Sequence, residues 1–310
     1  MRVVSTFAGC GGSSLGYHQA GCDVVAAIEW DAHAVKCYRA NHPGTRVFHA
    51  DIATIGGADI LNATGLDVGE LDILDGSPPC QGFSSAGARV LDDPRNALFQ
   101  EHLRLVDELR PRHVVIENVA GLIRGKMRIV AGEIFRSLES RGYRVAAGLL
   151  QSIYFGVAQT RPRVFFVASR VGIPSLPRPI SRPISAGVAL RGVDPDAVPK
   201  TGARNRFLVA RMRPGESGDR AFRRLGISRN TAFSVKMLSP RRPSQCLIKT
   251  PGDHFHWDRR LLSVREALVL TGFPADYDLP GTYAQRWARV GNSVSPAMTR
   301  EIARQSLGRL

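Results

Sequence analysis

No uninterrupted apolar run in the chain approaches the roughly 20 residues that a membrane-spanning helix requires. The pattern becomes strand-like at Arg2, without the charged, apolar and small-residue layout of a secretory leader. A soluble, cytoplasmic protein with no membrane partner is therefore expected. Cysteine is sparse: Cys10, Cys22, Cys37, Cys80 and Cys246 form an odd, scattered set, with neither CxxC spacing nor a histidine cluster nearby. That argues against a disulfide framework and against structural zinc, and no metal is expected. A conspicuous cysteine must then be explained by packing or by thiol chemistry. Internal repeats and low-complexity tracts are lacking too.

What the chain does have in excess is positive charge, and it is unevenly spread. Residues 171–260 hold 18 Lys and Arg against 6 Asp and Glu, so +12 of the formal +15 falls in this segment. A local excess of this size is the electrostatic footprint of a polyanion, because each neutralised phosphate releases condensed counterions. A solvated basic face is the alternative.

From residue 1 to about 170, short β-branched runs alternate with longer mixed segments, as βα units of a parallel sheet do. The runs at 2–7, 24–29, 46–49, 71–75, 113–117, 144–150 and 164–168 read as strands, and 96–109 and 128–141 as helices. Val114, Val115 and Ile116 form the unbroken apolar run of a strand covered on both faces. After Arg170 come Pro174, Pro177, Pro179 and Pro183 and then an Arg-rich stretch of weak periodicity, which reads as a linker into a second, smaller domain. Periodicity returns at Leu261. Ser263 and Glu266 predict a capping box for a helix through Leu270, ended by Gly272 and Pro274, and a last helix is expected over 296–307.

The first strand runs into Phe7-Ala8-Gly9-Cys10-Gly11-Gly12-Ser13-Ser14-Leu15-Gly16, a glycine-rich turn that opens a helix. Such turns let a ligand approach the backbone, and they serve dinucleotides, S-adenosylmethionine or a plain tight connection. Two carboxylates sharpen the reading: Glu29 ends the second strand, where it can accept ribose hydroxyls, and Asp51 ends the third, within reach of an adenine edge. Trp30 is either a stacking platform for that adenine or a core aromatic. After the fourth strand, Asp75-Gly76-Ser77-Pro78-Pro79-Cys80-Gln81-Gly82-Phe83-Ser84 carries a cysteine at the carboxyl edge of the sheet, stiffened by two prolines. The fifth strand brings Glu117-Asn118-Val119 to the same edge, as an acid able to assist a nucleophile. Gln159-Thr160-Arg161-Pro162-Arg163 then sets two guanidinium groups ahead of the seventh.

Together these motifs resemble the DNA cytosine-5 methyltransferase family, in its prokaryotic restriction-modification form. FAGCGGSSLG resembles the family's cofactor motif, GSPPCQGFS its catalytic motif, ENV its acid motif and QTRPR its arginine motif, while RLLSVREALVLTGFP and RVGNSVSP resemble the two C-terminal motifs. The resemblance implies an α/β fold, a Rossmann-like adenosylmethionine-dependent methyltransferase sheet with a smaller target-recognition domain. It divides the chain into a catalytic domain at 1–170, recognition at 171–258 and a C-terminal segment at 259–310 whose last helix returns to the sheet. It implies Cys80 as nucleophile, Glu117 as the acid at the cytosine ring, and Arg161 and Arg163 as supports of base and loop. For S-adenosylmethionine it implies Phe7, Gly9, Gly12, Glu29, Trp30, Asp51, Ile52 and Leu98, with Asn292 and Ser293 from the last motif. Leu247, Ile248 and Thr250 are candidates for base reading.

The expected reaction is methyl transfer to carbon 5 of a flipped-out cytosine in double-stranded DNA, by a monomer. A cognate restriction endonuclease in the same cell is left open. Transfer RNA is the nearest rival substrate, although residues 171–260 hold only Phe207, Phe222, Phe233, Phe255 and Trp257 for stacking on exposed bases. A catalytically silent DNA-binding relative and a nicotinamide oxidoreductase are the rivals from other classes.

Overall fold

The computed structural model describes residues 1–79, 97–227 and 234–307. By its internal contacts the chain divides into two compact units: Met1–Leu150, Pro162–Arg178 and Met298–Leu310 form the first, and Gln151–Arg161 and Pro179–Ala297 the second.

All seven runs read as strands pair into one sheet: β1 (Arg2–Thr6), β2 (Asp23–Glu29), β3 (Arg46–His49), β4 (Ile73–Gly76), β5 (His113–Val119), β6 (Arg144–Gln151) and β7 (Pro162–Ser169). Their order is β3-β2-β1-β4-β5-β7-β6. The order turns back on itself between β1 and β4, which opens a crevice beyond the carboxyl ends of those strands. One expectation is corrected: the sheet is not parallel throughout, because β7 runs antiparallel to β5. The chain between β6 and β7 holds a single 3-10 turn, Ser152–Tyr154. That is too little for the helical crossover a parallel return needs.

Helices α1 (Gly12–Gln19), α2 (Ala32–Asn41), α3 (Gly57–Thr64), α4 (Ala97–Leu109) and α5 (Arg128–Glu139) follow β1 to β5. On α4, Phe99, Leu103, Val106 and Leu109 recur at helical spacing and bury one face in the main core with Val4, Ile28, Leu74, Val114 and Ile116. Arg104 on that helix donates through Nη2 to the carbonyls of Ile52 and Ile55, at 3.0 and 2.9 Å, and so fixes the turn after β3.

In the second unit the predicted capping box forms at the start of α9 (Val264–Thr271). The Ser263 hydroxyl accepts from the Glu266 amide, Glu266 accepts from the Ser263 amide at 2.9 Å, and Gly272 closes the helix at φ 91°. Three short helices, α6 (Ala186–Ala189), α7 (Ala203–Val209) and α8 (Gly218–Arg224), explain why the basic stretch shows so little periodicity. Two-residue strands β8 (Lys236–Met237) and β9 (His254–Phe255) pair in parallel over a small core that includes Leu208, Met212, Val235 and Leu261. Helix α10 (Tyr283–Asn292) was not anticipated, although Thr282 and Gln285 carry the same capping-box signature as Ser263 and Glu266. The last helix, α11 (Pro296–Gln305), rejoins the first unit from Met298 onward: Thr299 Oγ1 donates to the Ser13 carbonyl at 3.2 Å and Arg304 to that of Gln19 at 3.0 Å.

Beneath the glycine turn lies a buried polar network. Asp75 on β4 accepts from the Tyr17 hydroxyl at 3.0 Å and from Ser5 at 3.3 Å. Thr6 Oγ1 donates to the Asp75 carbonyl at 3.1 Å and meets His102 Nδ1 at 3.0 Å. Gly76 is a glycine by necessity, since a Cβ there would collide with Thr6 Oγ1 and the His102 ring. Burial raises the Asp75 carboxyl pKa to about 7, against the pull of the Tyr17, Ser13 and Ser5 hydrogen bonds and with a further push from Glu117. The folded chain thus holds this proton more tightly than the unfolded chain. The stability associated with it is full below about pH 4 and is lost as pH rises to about 7, by a few kcal/mol in order of magnitude. Urea titrations at several pH values should show the stability of the native chain relative to Asp75→Asn falling across that window and levelling above it. A gap independent of pH contradicts this.

Candidate active site

The register of the sheet decides which side chains share its carboxyl edge. Thr6 pairs with Ile28 on one side and Gly76 on the other, and Gly76 pairs with Ile116. The next residue of each strand, Phe7, Glu29, Ser77 and Glu117, therefore stands on one line at the mouth of the crevice.

Phe7 leaves β1 at φ 54°, a left-handed conformation that L side chains rarely adopt. It is held there by packing of its half-buried ring on the core and by the Ala8 amide, which donates to the Ile28 carbonyl at 3.1 Å. Backbone strain of this kind costs about 1–3 kcal/mol and concentrates at ligand sites. Gly9 and Gly11 follow at φ 58° and 92°, and the space a Cβ would enter at Gly9 is open, so the turn can be approached from outside. Gly12 opens α1.

Glu29 is buried with both oxygens engaged: Oε2 accepts from the Gly9 amide and Oε1 from the Asp31 amide, each at 2.8 Å. These bonds tie the glycine turn to the end of β2 and leave each oxygen a second lone pair for a ligand hydroxyl. Trp30 is 75% exposed, so it is not a core aromatic in this chain. Asp51 is also exposed and caps the 3-10 turn Ile52–Thr54 by accepting from the Ala53 amide at 3.0 Å. Ile52 is buried in the core and Leu98 is half-buried against it.

On the other side of the crevice, Glu117 meets Arg163 Nε at 2.7 Å. The antiparallel pairing explains the contact. Glu117 lies opposite Phe165 and Val119 opposite Arg163, which makes Glu117 and Arg163 diagonal neighbours on one face of the sheet. Both side chains are largely buried. Arg163 Nη1 also donates to the Pro162 carbonyl at 2.8 Å. Asn118, which the ENV motif leaves without a role of its own, donates through Nδ2 to the Pro78 carbonyl at 3.1 Å and so anchors Pro78-Pro79 just ahead of Cys80. Cys80 itself lies outside the described residues.

The two arginines of the QTRPR motif part company. Arg161 belongs to the second unit, where it is buried and gathers distant backbone: Nη1 donates to the Leu247 carbonyl at 3.1 Å, and Nη2 to those of Gly291 and Ser293 at 3.0 and 2.8 Å. Asn292 ends α10 exposed, and Ser293 caps that helix; both fall in the second unit. Leu247 is buried, while Ile248 and Thr250 are exposed.

A seven-stranded sheet of this order, with a strained glycine turn and an acid at its carboxyl edge, has the Rossmann-like fold of the S-adenosylmethionine-dependent methyltransferases. The model of the C-5 cytosine-specific DNA methylases matches residues 1–186 and 215–307, and the chain belongs to that family. Among curated proteins it is 30% identical to the type II methyltransferase M1.HphI of Haemophilus parahaemolyticus, over 98% of this chain and 86% of that one. It is 36% identical to M.XorII of Xanthomonas oryzae over 63% of its own length, but spans only 46% of that relative. Among solved structures, a DNA modification methyltransferase encoded within an E. coli prophage superposes with a TM-score of 0.76 at 25% identity, covering 98% of this chain and 97% of the other. Spodoptera frugiperda DNMT2, at 19% identity, has a TM-score of 0.71 over 98% and 99% of the two chains and shares the fold.

Removing one partner of a buried ion pair leaves an uncompensated charge. Arg163→Ala should therefore cost about 3 kcal/mol of unfolding free energy, part of which returns when Glu117→Gln is added. Chemical denaturation of the single and double variants reads this directly. A double variant no more stable than Arg163→Ala contradicts it.

Proposed function

We propose that this chain methylates carbon 5 of cytosine within a specific duplex DNA sequence in the prokaryotic cytoplasm, through a covalent adduct between Cys80 and a flipped-out base. The observation that carries the reading is the Glu117–Arg163 pair at the crevice edge, beside the anchored approach to Cys80.

S-adenosylmethionine, when bound, supplies an electrophilic methyl group on a sulfonium. The residues present fit it: Gly9 leaves backbone open to approach, Trp30 offers an exposed ring for the adenine, and Glu29 keeps fixed carboxylate lone pairs for ribose hydroxyls. Asp51, Ile52, Leu98, Phe7 and Gly12 complete the proposed cofactor wall. Asn292 and Ser293 are assigned to it by motif alone.

Cytosine carbon 5 is too weak a nucleophile to react unaided. Addition of the Cys80 thiolate at carbon 6, with Glu117 supporting a proton on ring nitrogen N3, turns carbon 5 into an enamine carbon. After carbon 5 accepts the methyl group, its proton passes to water, the N3 proton returns to Glu117 and the Cys80–carbon 6 bond breaks, which restores the aromatic ring and the free thiolate. Arg163 holds Glu117 in place for this, as a positioning residue, by a charge-assisted hydrogen bond that fixes one carboxylate oxygen. The atoms concerned are inaccessible in a stacked duplex, so the base must leave the helix, at a cost of a few kcal/mol. Residues 171–258 are assigned to target recognition on their positive charge, and 1–170 with the returning last helix to cofactor binding and chemistry.

Duplex DNA containing 5-fluorocytosine tests the adduct, because fluorine replaces the proton that must leave. With S-adenosylmethionine the native chain should form a complex that survives denaturing electrophoresis, and Cys80→Ser should form none. An undiminished complex in Cys80→Ser removes Cys80 from the mechanism. Adduct formation on transfer RNA in preference to duplex DNA would redirect the substrate.

A further inference from the structure

The second unit carries a cleft of about 190 Å³ with an excess of positive charge. Arg220, Lys236 and Arg242 line it together with Ser239, Ser244 and His254, and among the described residues no carboxylate does. The acids nearest in sequence to Arg220 are already engaged: Glu216 pairs with Arg224 and Asp219 with Arg223, each at 2.9 Å. Ser244 is fixed by its backbone, its amide donating to the Ala158 carbonyl at 2.7 Å and its carbonyl accepting from the Thr160 amide at 2.8 Å. Its own hydroxyl, in a residue only 1% exposed, has no hydrogen-bond partner among the described residues. His254 adds no charge, since burial first and the Lys236 ammonium second push its pKa down to about 4.

Like charges gathered around one cleft repel, and a buried hydroxyl without a partner is costly. The repulsion eases and the hydroxyl gains a partner if the cleft receives a ligand that is anionic and made only of acceptors. A base edge does not meet that description, because it is uncharged: even guanine, whose major-groove edge presents the acceptors O6 and N7 alone, brings no negative charge to the cations. A phosphodiester does. We propose that this cleft seats one backbone phosphate of the bound DNA, with Arg220, Lys236 and Arg242 neutralising it and the Ser239 and Ser244 hydroxyls as donors. The inference rests on reading the second unit as the duplex-binding part of the chain. A contact of this kind fixes the position of the protein on the helix and adds affinity, but carries no sequence information.

The test is binding of the full chain to a labelled duplex of random sequence between about 50 and 200 mM salt. The variants are Lys236→Gln, Arg242→Gln and, as control, Arg223→Gln, whose charge is already paired with Asp219. Lys236→Gln and Arg242→Gln combined should flatten the slope of log K against log salt by about 1, as expected for one lost phosphate contact, each alone should flatten it by part of that, and the control should keep the native slope. The sequence found methylated in DNA from cells expressing the cleft variants should be that of the native chain. Native slopes in both cleft variants, an equal flattening in Arg223→Gln, or a changed methylated sequence would each overturn the phosphate seat. If the native chain has no affinity for duplex DNA, the reading of the second unit fails, and the seat falls with it.

Discussion

The in-register pairing of β1, β2, β4 and β5 is the constraint on which the rest of the site depends. Each strand is nearly all buried and its side chains alternate, so a slip of one residue in β2 or β5 would send Glu29 or Glu117 to the opposite face. With the observed register, Phe7, Glu29, Ser77 and Glu117 arrive together. Two further interactions then fix what arrives: Glu29 ties down the glycine turn through the Gly9 amide, and Arg163 ties down Glu117. The glycine turn and Glu117 are thus each tied to the carboxyl edge of the sheet, on either side of one crevice.

Much of this was legible in the amino-acid sequence, for local reasons. Strand runs such as Val114 to Ile116, the glycine turn, and the Ser263–Glu266 capping box are each written within ten or so residues, where periodicity and turn chemistry act. The reversal of β7 is not, because alternation of strand-like and helical runs is the same for either strand direction, and direction is set by the short link from β6. Helix α10 was passed over although its cap was visible in Thr282 and Gln285.

What stayed hidden is non-local. Asn118 reaches Pro78 across forty positions of chain, and Arg161 joins carbonyls 86, 130 and 132 positions away. No spacing rule announces such partners, which depend on tertiary approach. The motif QTRPR reads as two equivalent arginines, yet one pairs with Glu117 and the other serves as a backbone clamp in a different unit. Asp75 and His102 were likewise silent, because a lone Asp or His gains its environment only once β1, β4 and α4 close around it. The same holds for the cationic cleft: net charge pointed to the basic segment, but only the fold gathers Arg220, Lys236 and Arg242 around one cavity.

The central claim, that this arrangement adds a methyl group to carbon 5 of cytosine in DNA, is tested most directly by bisulfite sequencing of DNA from cells expressing the chain. Cytosines protected from conversion should recur at one position of one short sequence and be lacking in cells without it. Complete conversion of every cytosine, in cells where the folded protein accumulates, would contradict the account.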